Sequence, residues 1–134
     1  MRQSTANTPV YILSVKQAHL TDKSNNRADQ EARIYFKAHG ISYKVVNGCY
    51  KGVTELSYVV NAAHAVQVRE LAARYNQDSV LFLDSDRSAF LRYLDSFDHE
   101  VYIGQFKSTS AQIALGRDAY THDETADLYY VVDK

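Results

Sequence analysis

The hydrophobic pattern of this chain changes period from one segment to the next between residues 10 and 83, and that alternation limits its possible folds more than any single motif. Val10 to Val15 (VYILSV) is an almost unbroken apolar run, the pattern of a central buried strand. The polar stretch Lys16 to Asn25 reads as a loop. Helical spacing begins near Asn26, where Ala28, Ala32, Tyr35, Phe36 and His39 fall on one side. Ser24 or Asn25 can cap that helix, and Gly40 is its expected stop. Ile41 to Val46 then alternates, with Ile41, Tyr43 and Val45 on one face. Asn47-Gly48 and Lys51-Gly52 supply turn chemistry. Val53 to Val60 resumes as a strand with Leu56, Tyr58 and Val60 in phase. A second helix fits Ala62 to Tyr75, its stripe being Ala65, Val68, Leu71, Ala72 and Tyr75. Asn76 ends it, and Ser79 to Leu83 (SVLFL) is again a buried strand.

The order β-α-β-β-α-β predicts a ferredoxin-like α/β chain, an α+β sandwich in which two helices cover one face of an antiparallel sheet. Beyond it, Ala89 to Leu94 satisfies both strand and helix periods. Glu100 to Phe106 reads as a strand, and Ala119 to Thr121 and Leu128 to Val132 can pair across the acidic turn Asp123 to Asp127. These are the extra C-terminal strands. A sheet of this kind leaves its second face bare, so the tyrosines on alternating strands predict cover by another subunit.

Residues 1–134 form one domain, long enough for a real core at 46% hydrophobic content. Met1 to Thr8 is polar and lacks an apolar h-region, so residues 1–8 read as a flexible tail rather than a signal peptide. A net charge of -1 argues against a nucleic-acid binder, which carries a basic stripe. No apolar run approaches the roughly 18 residues of a membrane span. The single cysteine excludes an intrachain disulfide framework and multi-cysteine zinc sites. The expected setting is cytoplasmic.

The usual chemistries find little support. His19, His39, His64, His99 and His122 are dispersed without H-x-x-x-H or H-E-x-x-H spacing, and both His122-Asp123-Glu124 and Asp84-Ser85-Asp86 read as turns. No metal is expected. There is no G-x-S-x-G elbow, and Cys49 has no base near it in sequence. The Gly48 to Gly52 stretch joins two strands, unlike a P-loop or a dinucleotide fingerprint. What stands out is Gly48-Cys49-Tyr50 followed by Gly52 and Glu55. With a turn centred on Lys51 to Val53, the Tyr50 hydroxyl and the Glu55 carboxylate become near cross-strand neighbours. Such a pair suits an ammonium or amino-acid head group. On spacing alone, a turn-flanking tyrosine and a solvent-facing glutamate are the favoured reading.

Four short motifs, in order along nearly the whole chain, resemble the phage S-adenosylmethionine lyases, long described as S-adenosylmethionine hydrolases. They are the opening strand VYILSV, Asn47-Gly48-Cys49-Tyr50-Lys51, Gln77-Asp78-Ser79-Val80-Leu81, and Ala119-Tyr120-Thr121-His122-Asp123-Glu124 with Tyr129 and Val131 after it. The resemblance implies a homotrimer of PII-like, ferredoxin-like sandwiches with active sites between subunits. It also implies degradation of S-adenosylmethionine in an infected bacterium, starving host restriction-modification systems, with no further cofactor. It carries the motif tyrosine to Tyr50 and the acidic position to Glu55. The segment between them is shorter than in the family pattern, and Leu56 stands where that pattern has a second acid, so Glu70 is a reserve carboxylate.

In the implied reaction the substrate carboxylate attacks its own γ-carbon, expelling neutral methylthioadenosine and closing homoserine lactone. Glu55 would pair with the α-ammonium and Tyr50 would orient the tail. The backbone at the end of the first strand, over Ser14, Val15, Lys16 and Gln17, would contact the substrate, with Tyr58 and Gln105 as further wall and polar contacts. Three alternatives share much of this pattern: a hydrolase giving homoserine, a non-catalytic PII-like sensor of a nucleotide or S-adenosylmethionine, and a small phage inhibitor of a host enzyme.

Overall fold

The computed structural model describes residues 8–95 and 99–134. Most of the segment expected to be a flexible tail, residues 1–7, lies outside the described residues. The elements run β1 (Val10–Leu13), α1 (Asp22–Ala38), β2 (Tyr43–Tyr50), β3 (Val53–Asn61), α2 (Ala65–Arg74), β4 (Ser79–Leu83), β5 (Ser88–Tyr93), β6 (Glu100–Thr109), α3 (Ala111–Leu115), β7 (Ala119–Asp123) and β8 (Leu128–Asp133). A 3-10 turn over Ala62–His64 leads into α2.

The expected ferredoxin-like, PII-like sandwich is not what forms. All strand pairs are antiparallel, and the sheet closes on itself in the order β1-β3-β2-β7-β8-β6-β5-β4. The stretch β4-β1-β3-β2 would serve an open sheet. Its free edge at β2 is instead occupied by β7, from Asn47↔His122 to Tyr50↔Ala119. Closing a sheet removes its edges, which is the physical gain of this arrangement. The second face, which the sequence leaves bare, is covered by the chain's own strands β5 to β8.

Side chains of a cross-strand pair share a face. The pairs Tyr11↔Val60 and Leu13↔Tyr58 therefore point outward, where α1 and α2 cover them. This layer is the main core: Tyr11, Leu13, Val15, Phe36, Tyr58, Val60, Val68, Leu71 and Val80 are all buried there. The alternate set, Ile12, Ser14, Ser57 and Leu81, points into the barrel.

Local chemistry accounts for most boundaries. Helix α1 starts four residues earlier than expected, because Thr21 accepts from Ser24 N at 3.1 Å as the N-cap. Gly40, at φ 65°, terminates it as predicted. Asn47-Gly48 continues β2 rather than turning, and the tight turn is Lys51-Gly52, with φ of 50° and 82°. Two positive φ values are what a two-residue hairpin matching strand twist requires. Residues 88–93 are a strand, which resolves the ambiguous Ala89 to Leu94 run.

Between β5 and β6 the register shifts at Ala89/Phe90, opposite Gly104. A Cβ on Gly104 would lie 2.6 Å from Asp133 O, so β6 and β8 approach there only because the residue is glycine. The extra residue is Ile103 in β6, next to Gly104; a bulge beside a glycine bends the sheet, and this corner helps the barrel close.

Candidate active site

The barrel interior holds a cavity of about 620 Å³. On its far side, the stacked rings of Phe106 and Tyr130 (4.9 Å apart, 11° between planes) separate it from a second chamber of about 340 Å³. Most of the larger cavity's wall is apolar, from Ile12, Leu81, Leu91, Ile103 and Val132. Its polar groups gather at the end nearest the β2–β3 hairpin.

That hairpin sets the register Gly48↔Glu55 and Tyr50↔Val53. Glu55 faces inward as a result, with a glycine opposite that leaves the space beside the carboxylate unfilled. The Ser14 hydroxyl accepts from Lys16 N at 3.1 Å and sits near enough to Glu55 to favour its ionised form. Lys16 crosses to β3 through Nζ, donating to Thr54 O at 3.1 Å. Burial raises the Glu55 carboxyl above its ordinary value; the Lys16 charge and the Ser14 hydrogen bond pull it down, and Asp29 adds to the rise. Burial wins. A half-buried carboxylate with too little local compensation is poised to take up a cation.

The loop carrying Ser14 and Lys16 is pinned from below. Buried Asn25 accepts from Gln17 N at 2.8 Å and donates to Gln17 O at 3.0 Å and Leu20 O at 3.4 Å. Gln77 donates through Nε2 to Lys16 O at 2.9 Å and to Tyr75 O at 3.2 Å.

Of the residues expected from sequence, Ser14, Tyr50 and Glu55 line the cavity together. Tyr50 stands at its rim, 60% exposed, with the Lys51 ammonium 5.3 Å from its ring centroid. It is a diagonal neighbour of Glu55 rather than its direct partner. The side chains of the others lie elsewhere. Val15 is buried in the helix-side core. The Gln17 side chain accepts from Asn76 at 3.1 Å. Tyr58 is buried under α1 with its hydroxyl 2.8 Å from Asp29 Oδ1; burial and that carboxylate push its ionisation far up. Gln105 donates to Asp86 O and accepts weakly from Ser88, outside the cavity. Glu70 accepts from Tyr35 at 2.7 Å between α1 and α2, away from the cavity.

Ser57, Gln77, Tyr120 and Thr121 line the cavity and were not singled out as site residues. Gln77 opens the Gln77–Leu81 step noted in the sequence. Tyr120 and Thr121 belong to the last motif noted in the sequence, while Ser57 carries no such signal.

The polar triplet of the last motif divides by face. Asp123 points inward, buried and ion-paired with Lys44. Burial would raise its carboxyl, but Lys44 and the Ala126 and Thr125 N–H groups outweigh that and hold it below the ordinary range. Glu124 accepts from Asn47 at 2.7 Å, and His122 stacks on Tyr129 at 4.0 Å. Asp84 and Asp86 bond the N–H groups of Ser85 and Ser88 in their turn. Among the described residues no group of three or more His, Cys, Asp or Glu side chains is placed to hold a metal ion. No helix among them is long and apolar enough to cross a membrane.

Among the described residues the cavity lining has one carboxylate and no histidine, an arrangement for binding a cationic group and excluding water. Compared with protein-family models, residues 11–133 match that of the S-adenosylmethionine lyase family. No curated protein matches the chain significantly.

Proposed function

This chain belongs to the S-adenosylmethionine lyase family and is an enzyme of that kind; we propose that it converts S-adenosyl-L-methionine to methylthioadenosine and L-homoserine lactone in the cavity around Glu55. In this reading the substrate carboxylate forms a bond to its own γ-carbon as the carbon–sulfur bond breaks. The bonding pair leaves with sulfur. The sulfonium becomes a neutral thioether, the lactone keeps its ammonium, and no proton moves.

Glu55 carries the proposal. Among the described residues it is the one carboxylate lining the cavity, half-buried and undercompensated, and it suits the substrate α-ammonium. The Tyr50 hydroxyl at the rim and the Ser14–Lys16 strand end would hold the tail bent for ring closure. Positioning of that kind is worth about 7–11 kcal/mol of barrier. Apolar walls support the same chemistry, because the reaction annihilates charge and gains from removal of water.

A hydrolase would need a water aimed at the γ-carbon and a base to activate it. A single carboxylate already paired with the ammonium serves that route poorly, which supports the lyase over the hydrolase. The cavity would serve a sensor equally well, and only product formation separates the two.

The proposal extends to a homotrimer in the cytoplasm of a host bacterium, where loss of S-adenosylmethionine would blunt restriction-modification. Tyr50 and Val53, 60% and 56% exposed at the cavity mouth, offer an apolar rim for a neighbouring subunit. Light-scattering mass in solution tests the assembly.

The test of the chemistry is an NMR time course of the protein with S-adenosylmethionine, beside Glu55→Gln. Methylthioadenosine with lactone, slowed in the variant, is the expected result. Homoserine appearing without a lactone stage would mean hydrolysis, and substrate that binds but survives would mean a sensor.

A further inference from the structure

We infer that Gln77 is a substrate-contacting residue whose side-chain oxygen accepts a hydrogen bond from the substrate α-ammonium. The inference rests on the reading of the cavity as the S-adenosylmethionine site.

The argument starts from the amide's orientation. Gln77 has two carbonyl oxygens beside one end of its side chain, Lys16 O at 2.9 Å and Tyr75 O at 3.2 Å. Only the NH2 end can face two acceptors, so the amide has one permitted orientation. Its Oε1 is thereby turned from that backbone, and among the described residues it accepts no hydrogen bond, while the side chain lines the cavity. The result is a fixed, neutral acceptor on a cavity wall that is otherwise mostly apolar.

Its place relative to Glu55 decides what it would accept from. Ser14 and Lys16 are the groups that favour the ionised Glu55, and Lys16 O receives Gln77, so both acceptors line the same cavity beside one strand end, at residues two apart. Two residues of extended chain span at most about 7 Å. An ammonium hydrogen-bonded to two acceptors needs them about 5 Å apart, from N···O lengths near 2.9 Å. A primary ammonium carries three N–H donors and a carboxylate cannot satisfy all of them. Glu55 would supply the charge and Gln77 a second, directional acceptor. A buried site with two such acceptors discriminates strongly against an analogue lacking the amino group, because they are then left unpaired.

The experiment compares the wild type, Gln77→Met and Gln77→Lys on S-adenosylmethionine and on its analogue without the α-amino group. Equilibrium binding is measured by calorimetry and turnover by NMR. Gln77→Lys keeps a donor for Lys16 O and Tyr75 O but offers no acceptor, so it separates the substrate contact from the clamp. Both variants are expected to weaken binding of S-adenosylmethionine at least tenfold, and of the deamino analogue less than twofold. Equal losses on both ligands, or full rescue by Gln77→Lys, would overturn the contact and leave Gln77 as a clamp on the strand end. Unchanged binding in both variants would overturn it outright. If the wild type binds S-adenosylmethionine without turning it over, the catalytic reading falls while the binding comparison still judges Gln77.

Discussion

Replacing Asn25 by alanine tests how the site is held together. Sequence spacing offers Ser24 or Asn25 as the helix cap, but in the structure Asn25 lies within α1, buried, with its amide spent on the loop that precedes the helix. It accepts from Gln17 N at 2.8 Å and donates to Gln17 O at 3.0 Å; the contact to Leu20 O is longer, at 3.4 Å. Truncation removes two good bonds and a weak one and leaves backbone groups of Gln17 unsatisfied. At roughly 0.5–1.5 kcal/mol per bond, with the orphaned groups pushing toward the upper end, the loss is about 2–3 kcal/mol. For a chain of this size each kcal/mol moves the melting midpoint by about 3–5 °C, so the midpoint should fall by about 6–15 °C. Calorimetry or a circular-dichroism melt reads that directly. The same loop presents Ser14 and Lys16 to Glu55, so turnover at temperatures where the variant remains folded should drop as well. A midpoint within 2 °C of the wild type would refute the claim that Asn25 holds the loop. A large fall in midpoint with full activity would refute the link from loop to site.

Three other outcomes follow from the charges and hydroxyls. Glu55 has a raised carboxyl pKa in the folded state, so folding is opposed as pH rises from the unfolded value through the raised one. Glu55→Gln should therefore abolish or strongly slow turnover while raising the melting midpoint at neutral pH and losing that advantage in acid; a lower midpoint at pH 7 would contradict the burial argument. Wild-type kcat/KM should fall on the acid side at a pH above the ordinary glutamate value, as a pH–rate profile would record. Asp123 behaves in the opposite sense: its lowered pKa adds stability above the unfolded carboxylate value, which is lost as pH falls through the folded one. Lys44→Met should cost about 1.5–3 kcal/mol at neutral pH, with a smaller loss near pH 3, judged by urea unfolding at both. Tyr35 ionises only at about 12, held up by burial and by Glu70, and Tyr35→Phe should cost about 0.5–1.5 kcal/mol and remove one late-titrating phenol from the ultraviolet titration.

The tyrosine content, eleven residues with no tryptophan, has a structural account that composition alone does not reveal. Tyr35, Tyr58 and Tyr75 each place a ring in the helix-side core and a hydroxyl on a carboxylate: Glu70, Asp29 and Glu31 at 2.7, 2.8 and 2.6 Å. Each is a packed ring with a satisfied polar end, tying helix to helix or helix to strand. Tyr58, expected as a wall of the site, alternates in phase with Leu56 and Val60. That phase is the outward one, and a one-residue difference in strand parity reverses every assignment of face. Glu70 was a reserve carboxylate for want of a second acid after Glu55, and its hydrogen bond to Tyr35 accounts for it.

Local physics was legible along most of the chain. Apolar periodicity, the cap and stop residues and the Lys51-Gly52 turn depend on neighbours within a few positions, and they specify β1 through β4, both long helices and the hairpin that brings Tyr50 and Glu55 to one rim. The Gly48-Cys49-Tyr50 motif pointed to the same place. The closed barrel was beyond such reasoning. Closure depends on β2 meeting β7, about 70 residues later, and on a bulge beside Gly104, and pairing at that range leaves no period in the sequence. For the same reason the cavity existed only once β5 to β8 covered the inner face, and Gln77, Ser57 and Thr121 became site residues only with it. Neighbouring residues dictate which face of a strand is apolar; the partner across the barrel decides what that face encloses.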